Sequence, residues 1–328
     1  MALPSQPEER PIIVIGAPRS GTTMFRYMLS AHPRLYVPPE SNFIPRFFDD
    51  DRPLSPDRAQ QAVKGILEYK VFFRDWLDPF PDPHDFVSGL ADLRPRSILD
   101  GLFGTYARQH GAVRWGDKSP IYTSHVEELS RVLPTAQFVH IIRDGRDVAL
   151  SMMRAYQGRR FFYVDLGFAA RSWRRRVTAA RRSGSRLGRD RYLELTYEAL
   201  TSDPEAVLQD VCDFLGEEFA PEMTAPQNVA RQHYHSRKIH AATAQPLTTA
   251  SSRRWLHEMP ERDQRLFDAL AGDLLAELGY PVDPSGALTF SDRLQLARLT
   301  SKYAVVEAGR RSLRRLGVFH PARLLAGR

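Results

Sequence analysis

The stretch from Pro11 to Glu40 constrains the fold more than any other part of this 328-residue chain. An apolar, β-branched run from Ile12 to Ile15 ends at Gly16, and a short turn with one arginine leads into a helical pattern that begins at Thr22. This order predicts a buried strand, a phosphate-binding loop and a helix, because small loop residues let backbone N–H groups converge on an oxyanion beside the positive end of the helix. A glycine-rich turn without a ligand is the alternative.

The loop differs from that of P-loop NTPases at the position of the lysine. Gly16, Gly21 and Thr23 fit the pattern G-x-x-x-x-G-K-[ST], but Thr22 occupies the lysine position. The cation is instead Arg19, inside the loop, so a 5′ anion that needs no metal bridge fits better than ATP with Mg²⁺. A P-loop nucleotide kinase or NTPase remains an alternative function.

Three further charged residues follow predicted strands. Glu40 follows a second short strand, Lys118 follows a third that is predicted to end at Trp115, and Arg143 ends a fourth. Because ligands of an open parallel sheet bind outside the carboxyl ends of its strands, we expect all three side chains at the edge that carries the loop. A carboxylate there can take a proton from an acceptor hydroxyl.

Each of these charged residues also has a structural interpretation. Glu40 could cap the segment after it, Lys118 could be a solvated charge beside a helix-capping Asp117, and Arg143 could pair with Asp144 or Asp147. The motifs in combination favour the functional interpretation.

The motifs together resemble the sulfotransferases that use 3′-phosphoadenylyl sulfate (PAPS). The resemblance lies in the P-R-S-G-T-T loop, the D-K-[ST]-P run, the R-D-G-R turn and a Y-E-x-L segment at Tyr197. It implies an α/β fold, a three-layer P-loop-type domain with a central parallel sheet flanked by helices. It also implies in-line transfer of the sulfuryl group of PAPS to an acceptor hydroxyl, with no metal.

The resemblance also implies roles for individual residues. Glu40 is expected to be the general base, as in the branch similar to the tyrosylprotein sulfotransferases, with Arg19 and Lys118 stabilising the transferring group. Arg143 is expected to bind the 3′-phosphate together with Ser151, which lies about two helical turns later. The expected cofactor contacts are Arg19, Ser20, Gly21, Thr22, Thr23, Arg143, Ser151, Tyr197 and Arg254. For Tyr197 a core position is the alternative.

The chain is predicted to form a sulfotransferase domain over residues 1–284, with a helical insertion at about 47–111 over the acceptor site. Residues 285–328 are predicted to be a basic amphipathic helical extension with nine cationic and two acidic residues. Leu296, Leu299, Tyr303 and Val306 recur there at near-helical spacing. This helix could contact a membrane surface, bind a partner or pack back on its own domain.

Composition and charge limit the partners. The positive charge behind the net charge of +7 is concentrated in the extension and between Arg154 and Arg191. The latter segment contains twelve arginines and two aspartates. No nucleic-acid-binding module accompanies them, so we expect no nucleic acid partner. His233, His235, His240 and His257 lack the spacing and the nearby Cys or acidic cluster of a metal site, so no metal is expected.

Compartment and acceptor are predicted from what the sequence lacks. There is no signal segment and only one cysteine, Cys212, which lies on an apolar helical face, so we expect a cytoplasmic protein, peripheral to a membrane at most. The expected acceptor is a small molecule, a glycan or a glycolipid. A homodimer and a non-catalytic, membrane-associated anion-binding protein remain alternatives.

Overall fold

The computed structural model describes residues 10–69, 82–157, 164–232, 248–283 and 287–315. By its internal contacts the chain divides into two compact units. The first comprises residues 1–143 and 176–252, and the second comprises residues 144–175 and 253–328. These boundaries differ from the predicted boundary between 284 and 285, which stays a prediction.

The first unit is built on a five-stranded sheet in the order β2-β3-β1-β4-β5, in which every neighbouring pair is parallel. The strands are β1 (Ile12–Ile15), β2 (Leu35–Tyr36), β3 (Arg114–Lys118), β4 (Gln137–Ile142) and β5 (Tyr192–Thr196). The predicted α/β fold with a central parallel sheet is therefore confirmed. The third strand does not end at Trp115 as predicted, because its backbone continues to pair with β1 as far as Lys118.

Fourteen helices lie in the described residues of the two units. They are α1 (Thr22–Ser30), α2 (Ile44–Phe47), α3 (Pro56–Tyr69), α4 (Pro83–Ser88), α5 (Pro95–Gln109), α6 (Val126–Val132), α7 (Gly145–Tyr156), α8 (Leu166–Gly184), α9 (Tyr197–Ser202), α10 (Pro204–Leu215), α11 (Pro226–Gln232), α12 (Trp255–Glu258), α13 (Glu261–Glu277) and α14 (Phe290–Arg315). Helices α3 to α5 confirm the helical character predicted for residues 47–111. The predicted end of α3, from 70 to 76, lies outside the described residues.

The alternation of side chains along the strands produces two cores. Ile13 packs on one face with residues of α3, α5 and α6, whereas Val14 packs on the other with α1 and α10. Strands that are buried on both faces are continuously apolar, as β1 is. Cys212 is buried in the second of these cores, and burial raises the pKa of its thiol to about 11, so its predicted packing role is confirmed.

The second unit has a helical core of its own. A side chain at Gly145 would overlap Trp173 and Phe267, so glycine lets α7 approach both rings closely. Helix α14 packs on this unit through Leu299, which contacts Gly167, and through the Tyr303 ring, which lies 5.9 Å from that of Phe168. Of the three alternatives for the extension, the described part therefore packs back on its own domain through the apolar face that the sequence indicates.

Candidate functional site

The loop between β1 and α1 presents polar groups that are arranged for an anion. Arg19 and Gly21 have φ angles of 75° and 90°, in the left-handed region. Gly21 caps α1 without a side-chain hydrogen bond, so the first amides of the helix point into the loop. The buried hydroxyl of Ser20 has no hydrogen-bond partner in the structure's described part. An oxyanion at the positive end of α1 would satisfy these donors.

Both glycines of the loop are required by close packing. A side chain at Gly16 would place its Cβ 2.7 Å from the carbonyl oxygen of Ile141, and one at Gly21 would overlap the ring of Tyr197. The Gly16 amide and carbonyl are also held by the Thr123 hydroxyl, at 3.0 and 2.7 Å. The loop is thus a fixed cradle, and its residues fit the 5′ anion of a nucleotide cofactor.

Glu40 and Lys118 meet at the carboxyl edge of the sheet, next to the loop. Lys118 Nζ lies 2.6 Å from Oε1 of Glu40 and 3.3 Å from Oγ1 of Thr23. The lysine side chain is 3% exposed and that of Glu40 is 38% exposed. Burial lowers the pKa of Lys118, and the charge of Glu40 acts against this shift. The arrangement joins a buried cation, a solvent-accessible carboxylate and the loop.

The segment before Glu40 is fixed to α1 through the backbone of Val37. The amide of Val37 donates to the Ser30 hydroxyl at 3.1 Å, and its carbonyl accepts from Arg26 at 3.2 Å. Arg26 is buried, and its guanidinium lies over the Tyr27 ring. Neither Arg26 nor Ser30 was among the sequence-predicted site residues, because a helical pattern does not reveal which backbone groups its polar residues will hold.

Asp117 does not cap a helix, contrary to the structural interpretation of the sequence. It is fully buried in β3, where it accepts a hydrogen bond from the Ser41 hydroxyl. That hydroxyl also lies 2.7 Å from the hydroxyl of Tyr122. Burial raises the pKa of Asp117 to about 6, although the hydrogen bonds from Ser41 and Tyr122 act in the opposite direction.

Arg143 and Tyr197 lie against the loop. The Arg143 guanidinium donates to the carbonyl of Arg19 at 3.1 Å and to that of Ser251, and it stacks 4.3 Å above the centre of the Tyr197 ring. Asp144, the alternative ion-pair partner from the sequence, binds Arg146 at 2.8 Å. The structure thus brings Arg143 to the backbone of Arg19, the two arginines that the sequence predicted at one ligand, and Tyr197 is buried with its ring against the Arg143 guanidinium and Gly21.

Two predicted contacts belong to the second unit. Ser151 lies on α7, and Arg254 immediately precedes α12, where its buried Nε has no hydrogen-bond partner within the described ranges. The next residue, Trp255, donates its amide hydrogen to Asp147 at 3.0 Å and lies under the guanidinium of Arg146. Arg146 is therefore a buried structural residue, and Ser151 and Arg254 remain predictions.

In the part of the chain that the structure covers, no group of three or more His, Cys, Asp or Glu side chains could hold a metal ion. His233, His235 and His240 lie outside that part. The described helices also include none that combines the length and the apolar character needed to cross a membrane.

Comparison with known proteins gives consistent matches. A profile of the sulfotransferase family matches residues 11–221. The protein-tyrosine sulfotransferase 2 of Gallus gallus is 25% identical over 282 residues, which cover 83% of this chain and 70% of that protein. The protein-tyrosine sulfotransferase 1 of Danio rerio is 26% identical over 295 residues, with coverages of 83% and 73%.

Two solved structures share the fold. The sulfotransferase domain of the olefin synthase from Synechococcus PCC 7002 matches with a TM-score of 0.54 at 22% identity, over 85% of this chain and 99% of that domain. The sulfotransferase domain from the curacin biosynthetic pathway matches with a TM-score of 0.55 at 19% identity, over 86% and 100%. The profile and the relatives confirm the predicted family, and these two structures confirm the fold.

Proposed function

Since this chain belongs to the sulfotransferase family, we propose that it transfers the sulfuryl group of PAPS to an acceptor hydroxyl, with Glu40 as the general base. The observation that carries the proposal is the Glu40–Lys118 pair, whose ammonium group also lies 3.3 Å from Thr23 at the start of α1. A half-exposed carboxylate that is held beside an anion-binding loop is suited to receive a proton from an approaching hydroxyl.

PAPS, when bound, supplies the activated sulfuryl group and a good leaving group. The chain's own groups orient it and balance its charge. The amides of the loop and the Ser20 hydroxyl would bind the 5′ anion, and Arg19 and Lys118 would stabilise negative charge that develops during transfer. A sulfuryl group carries less charge than a phosphoryl group, so fixed cations can serve without a metal ion.

Arg143 is proposed to bind the 3′-phosphate, because its guanidinium is held beside the loop by a carbonyl and by the Tyr197 ring. A guanidinium fixed in this way loses little side-chain freedom when it binds a phosphate. Ser151 and Arg254 are proposed to contribute to the same ligand on sequence grounds. P-loop kinase activity is the competing proposal, and Thr22 in place of the P-loop lysine argues against it.

The test of the 3′-phosphate assignment is the affinity for adenosine 3′,5′-bisphosphate, measured by titration calorimetry. Arg143→Ala should weaken binding by about 10- to 150-fold, which corresponds to about 1.5–3 kcal/mol for a charge-assisted contact. Arg34→Ala, which removes a half-exposed arginine from its pair with Glu217, is the matched control and should bind normally. Unchanged affinity in the Arg143 variant, or tighter binding of Mg-ATP than of the bisphosphate, would contradict the proposal.

The acceptor is proposed to be a hydroxyl of a small molecule, a glycan or a glycolipid. The relatives from chicken and zebrafish are named for a protein tyrosine, so a tyrosine peptide belongs in the same screen. Transfer from labelled PAPS should be measured against each acceptor class with wild-type protein and with Glu40→Gln. Transfer that depends on Glu40 identifies the acceptor, and preferred transfer to the peptide would overturn the acceptor class.

Contact with an anionic membrane surface is proposed for the solvent-facing side of α14. Its apolar residues Phe290, Leu294 and Val305 are 85%, 47% and 72% exposed and fall within about 60° around the helix axis. Exposed cations flank them at Arg293, Arg298 and Lys302, and the carboxylate of Asp292 is buried. Exposed apolar side chains beside cations favour the interface of an anionic bilayer. We name this surface the exposed α14 face.

A further inference from the structure

A buried carboxylate that has no part in the proposed chemistry lies directly beside Lys118. Asp117 is 0% exposed, and its pKa is raised by burial. Burying an ionisable group costs stability, and apolar residues of similar size usually serve a core better. A buried acid that is retained at the end of a strand therefore calls for an explanation from its contacts.

Asp117 accepts hydrogen bonds from Ser41 and Tyr122, and the Ser119 hydroxyl lies 3.5 Å from its Oδ1; the contacts with Ser41 reach the segment that carries Glu40. The amide and the hydroxyl of Ser41 both donate hydrogen bonds to the Asp117 carboxylate. The amide of Asn42 donates to the Ser119 hydroxyl at 3.0 Å. Together with the ion pair between Lys118 and Glu40, three consecutive residues of one segment bind three consecutive residues of the other.

The contacts of Asp117 and Lys118 with this segment lie on opposite faces of the sheet. Asp117 pairs in register with Ile13, which belongs to one core, and Lys118 pairs with Val14, which belongs to the other. Neighbouring residues of a strand point to opposite sides. The segment after β2 therefore crosses the end of β3, with Glu40 held on one side and Ser41 on the other.

Backbone conformation agrees with this arrangement. Asn42 has a φ angle of 55°, in the left-handed region that non-glycine residues rarely adopt. Asparagine adopts this region more readily than most residues, and the hydrogen bonds of Ser41 and Asn42 hold the segment in place.

We propose that Asp117 is a positioning residue, which holds the backbone at Ser41 so that the carboxylate of Glu40 faces the transferred group. The proposal rests on the proposed function for its catalytic consequence. Its structural half, the restraint of residues 40–42, stands independently of any activity.

The first experiment compares Asp117→Asn with wild type in steady-state transfer of sulfate from PAPS. The amide keeps the shape of the side chain but replaces one of the two acceptor oxygens by an NH₂ group. It therefore presents a donor where the carboxylate presents an acceptor. A loss of about 10- to 100-fold in kcat is expected for a misplaced catalytic group, while KM for PAPS and the affinity for adenosine 3′,5′-bisphosphate change by less than about twofold. A purely structural role would lower folded protein and leave kcat per folded molecule unchanged.

A matched control is available on α5, which packs beside the same strand. Asp100 accepts a hydrogen bond of 2.8 Å from the indole of Trp115 on β3. Asp100→Asn should keep the wild-type kcat. Ser41→Ala combined with Asp117→Asn should be little worse than either single variant, because both act through one contact.

Hydrogen exchange separates this proposal from the proposed function. In Asp117→Asn, the amides of Ser41 and Asn42 should exchange faster by about tenfold or more, and in Asp100→Asn they should not. If wild type transfers sulfate to no acceptor but the exchange result holds, the function fails and the restraint stands. Unchanged exchange, or a kcat within about twofold of wild type, overturns the role of Asp117.

Discussion

Removing the charge of Glu40 while keeping its shape should destabilise the protein in a pH-dependent manner. In Glu40→Gln, Lys118 loses the negative charge that lies 2.6 Å from its Nζ. Its side chain is only 3% exposed, so water has little room to replace the carboxylate. The hydroxyl of Thr23, 3.3 Å away, is uncharged and cannot compensate.

The magnitude follows from the exposure of the two partners. Removing one partner of a fully buried ion pair costs about 3–5 kcal/mol, whereas exposed pairs contribute about 0–1 kcal/mol. Because the Glu40 side chain is 38% exposed, water can enter on its side of the pair. We therefore expect Glu40→Gln to lower the free energy of unfolding by about 1–3 kcal/mol at pH 7.

The sign of the pH dependence follows from the pKa of Lys118. Burial lowers this pKa below its ordinary value of 10.5, so the unfolded chain binds the proton more tightly than the folded protein does. The contribution of Lys118 to the free energy of unfolding is therefore most favourable above its unfolded pKa, and it decreases as the pH falls from there towards the folded pKa. Without Glu40 the folded pKa drops further, so the difference between variant and wild type should be largest near neutral pH and shrink as the pH rises.

The assay is urea unfolding of wild type, Glu40→Gln and Glu40→Gln with Lys118→Met, each at neutral and at alkaline pH. The double variant should recover stability relative to the single variant, since it no longer buries an unpaired charge. Asp273→Asn is the control, because it breaks an exposed pair with Arg174 whose side chains are 66% and 42% exposed. The same loss at both pH values, or a double variant less stable than the single one, would refute the reasoning.

Two other perturbations test the loop and the extension. Gly21→Ala should lower the affinity for adenosine 3′,5′-bisphosphate by about tenfold or more and cost about 1–3 kcal/mol beyond backbone strain, because its methyl group would overlap a tyrosine ring. Gly111→Ala, with a φ of 76° and open space around it, measures the strain alone, and equal losses in the two variants would contradict the overlap. Replacing the three large residues of the exposed α14 face, including Phe290, by serine should reduce sedimentation with anionic liposomes, whereas Val113→Ser, at a 47% exposed site, should not. Unchanged sedimentation, or a loss of self-association instead, would exclude the membrane assignment.

Local patterns were sufficient for the loop and for the charged strand ends. Glycine spacing and the switch from a strand to a helical pattern located the loop between β1 and α1, and the parallel-sheet rule placed Glu40 and Lys118 at one edge. What local patterns could not give was the partner of each polar group. The contacts of Ser41 with Asp117 and of Arg26 with Val37 depend on how the chain folds back, and no spacing rule encodes them.

The extension illustrates a second limit of sequence patterns. The near-helical recurrence of Leu299 and Tyr303 correctly indicated an apolar helix face, but periodicity alone does not say what covers such a face. In the structure this face packs within the second unit. The apolar residues exposed to solvent are instead those of the exposed α14 face, which includes Phe290. The division into two units was likewise not visible in composition, because the second unit is assembled from segments that are far apart in the chain.

The strand end that differs most from its prediction coincides with the proposed catalytic centre, and the reason is physical. Gly116, Asp117 and Lys118 have the composition of a turn, so hydropathy ends the strand at Trp115. The backbone nevertheless continues in register with β1, which carries two ionisable side chains into the interior. Folding alone would disfavour them there, and each is stabilised by the segment that bears Glu40. Asp117 and Lys118 are adjacent, both are buried although ionisable residues are usually exposed, and both bind the segment that carries Glu40. Positioning of that segment is the explanation consistent with all three facts.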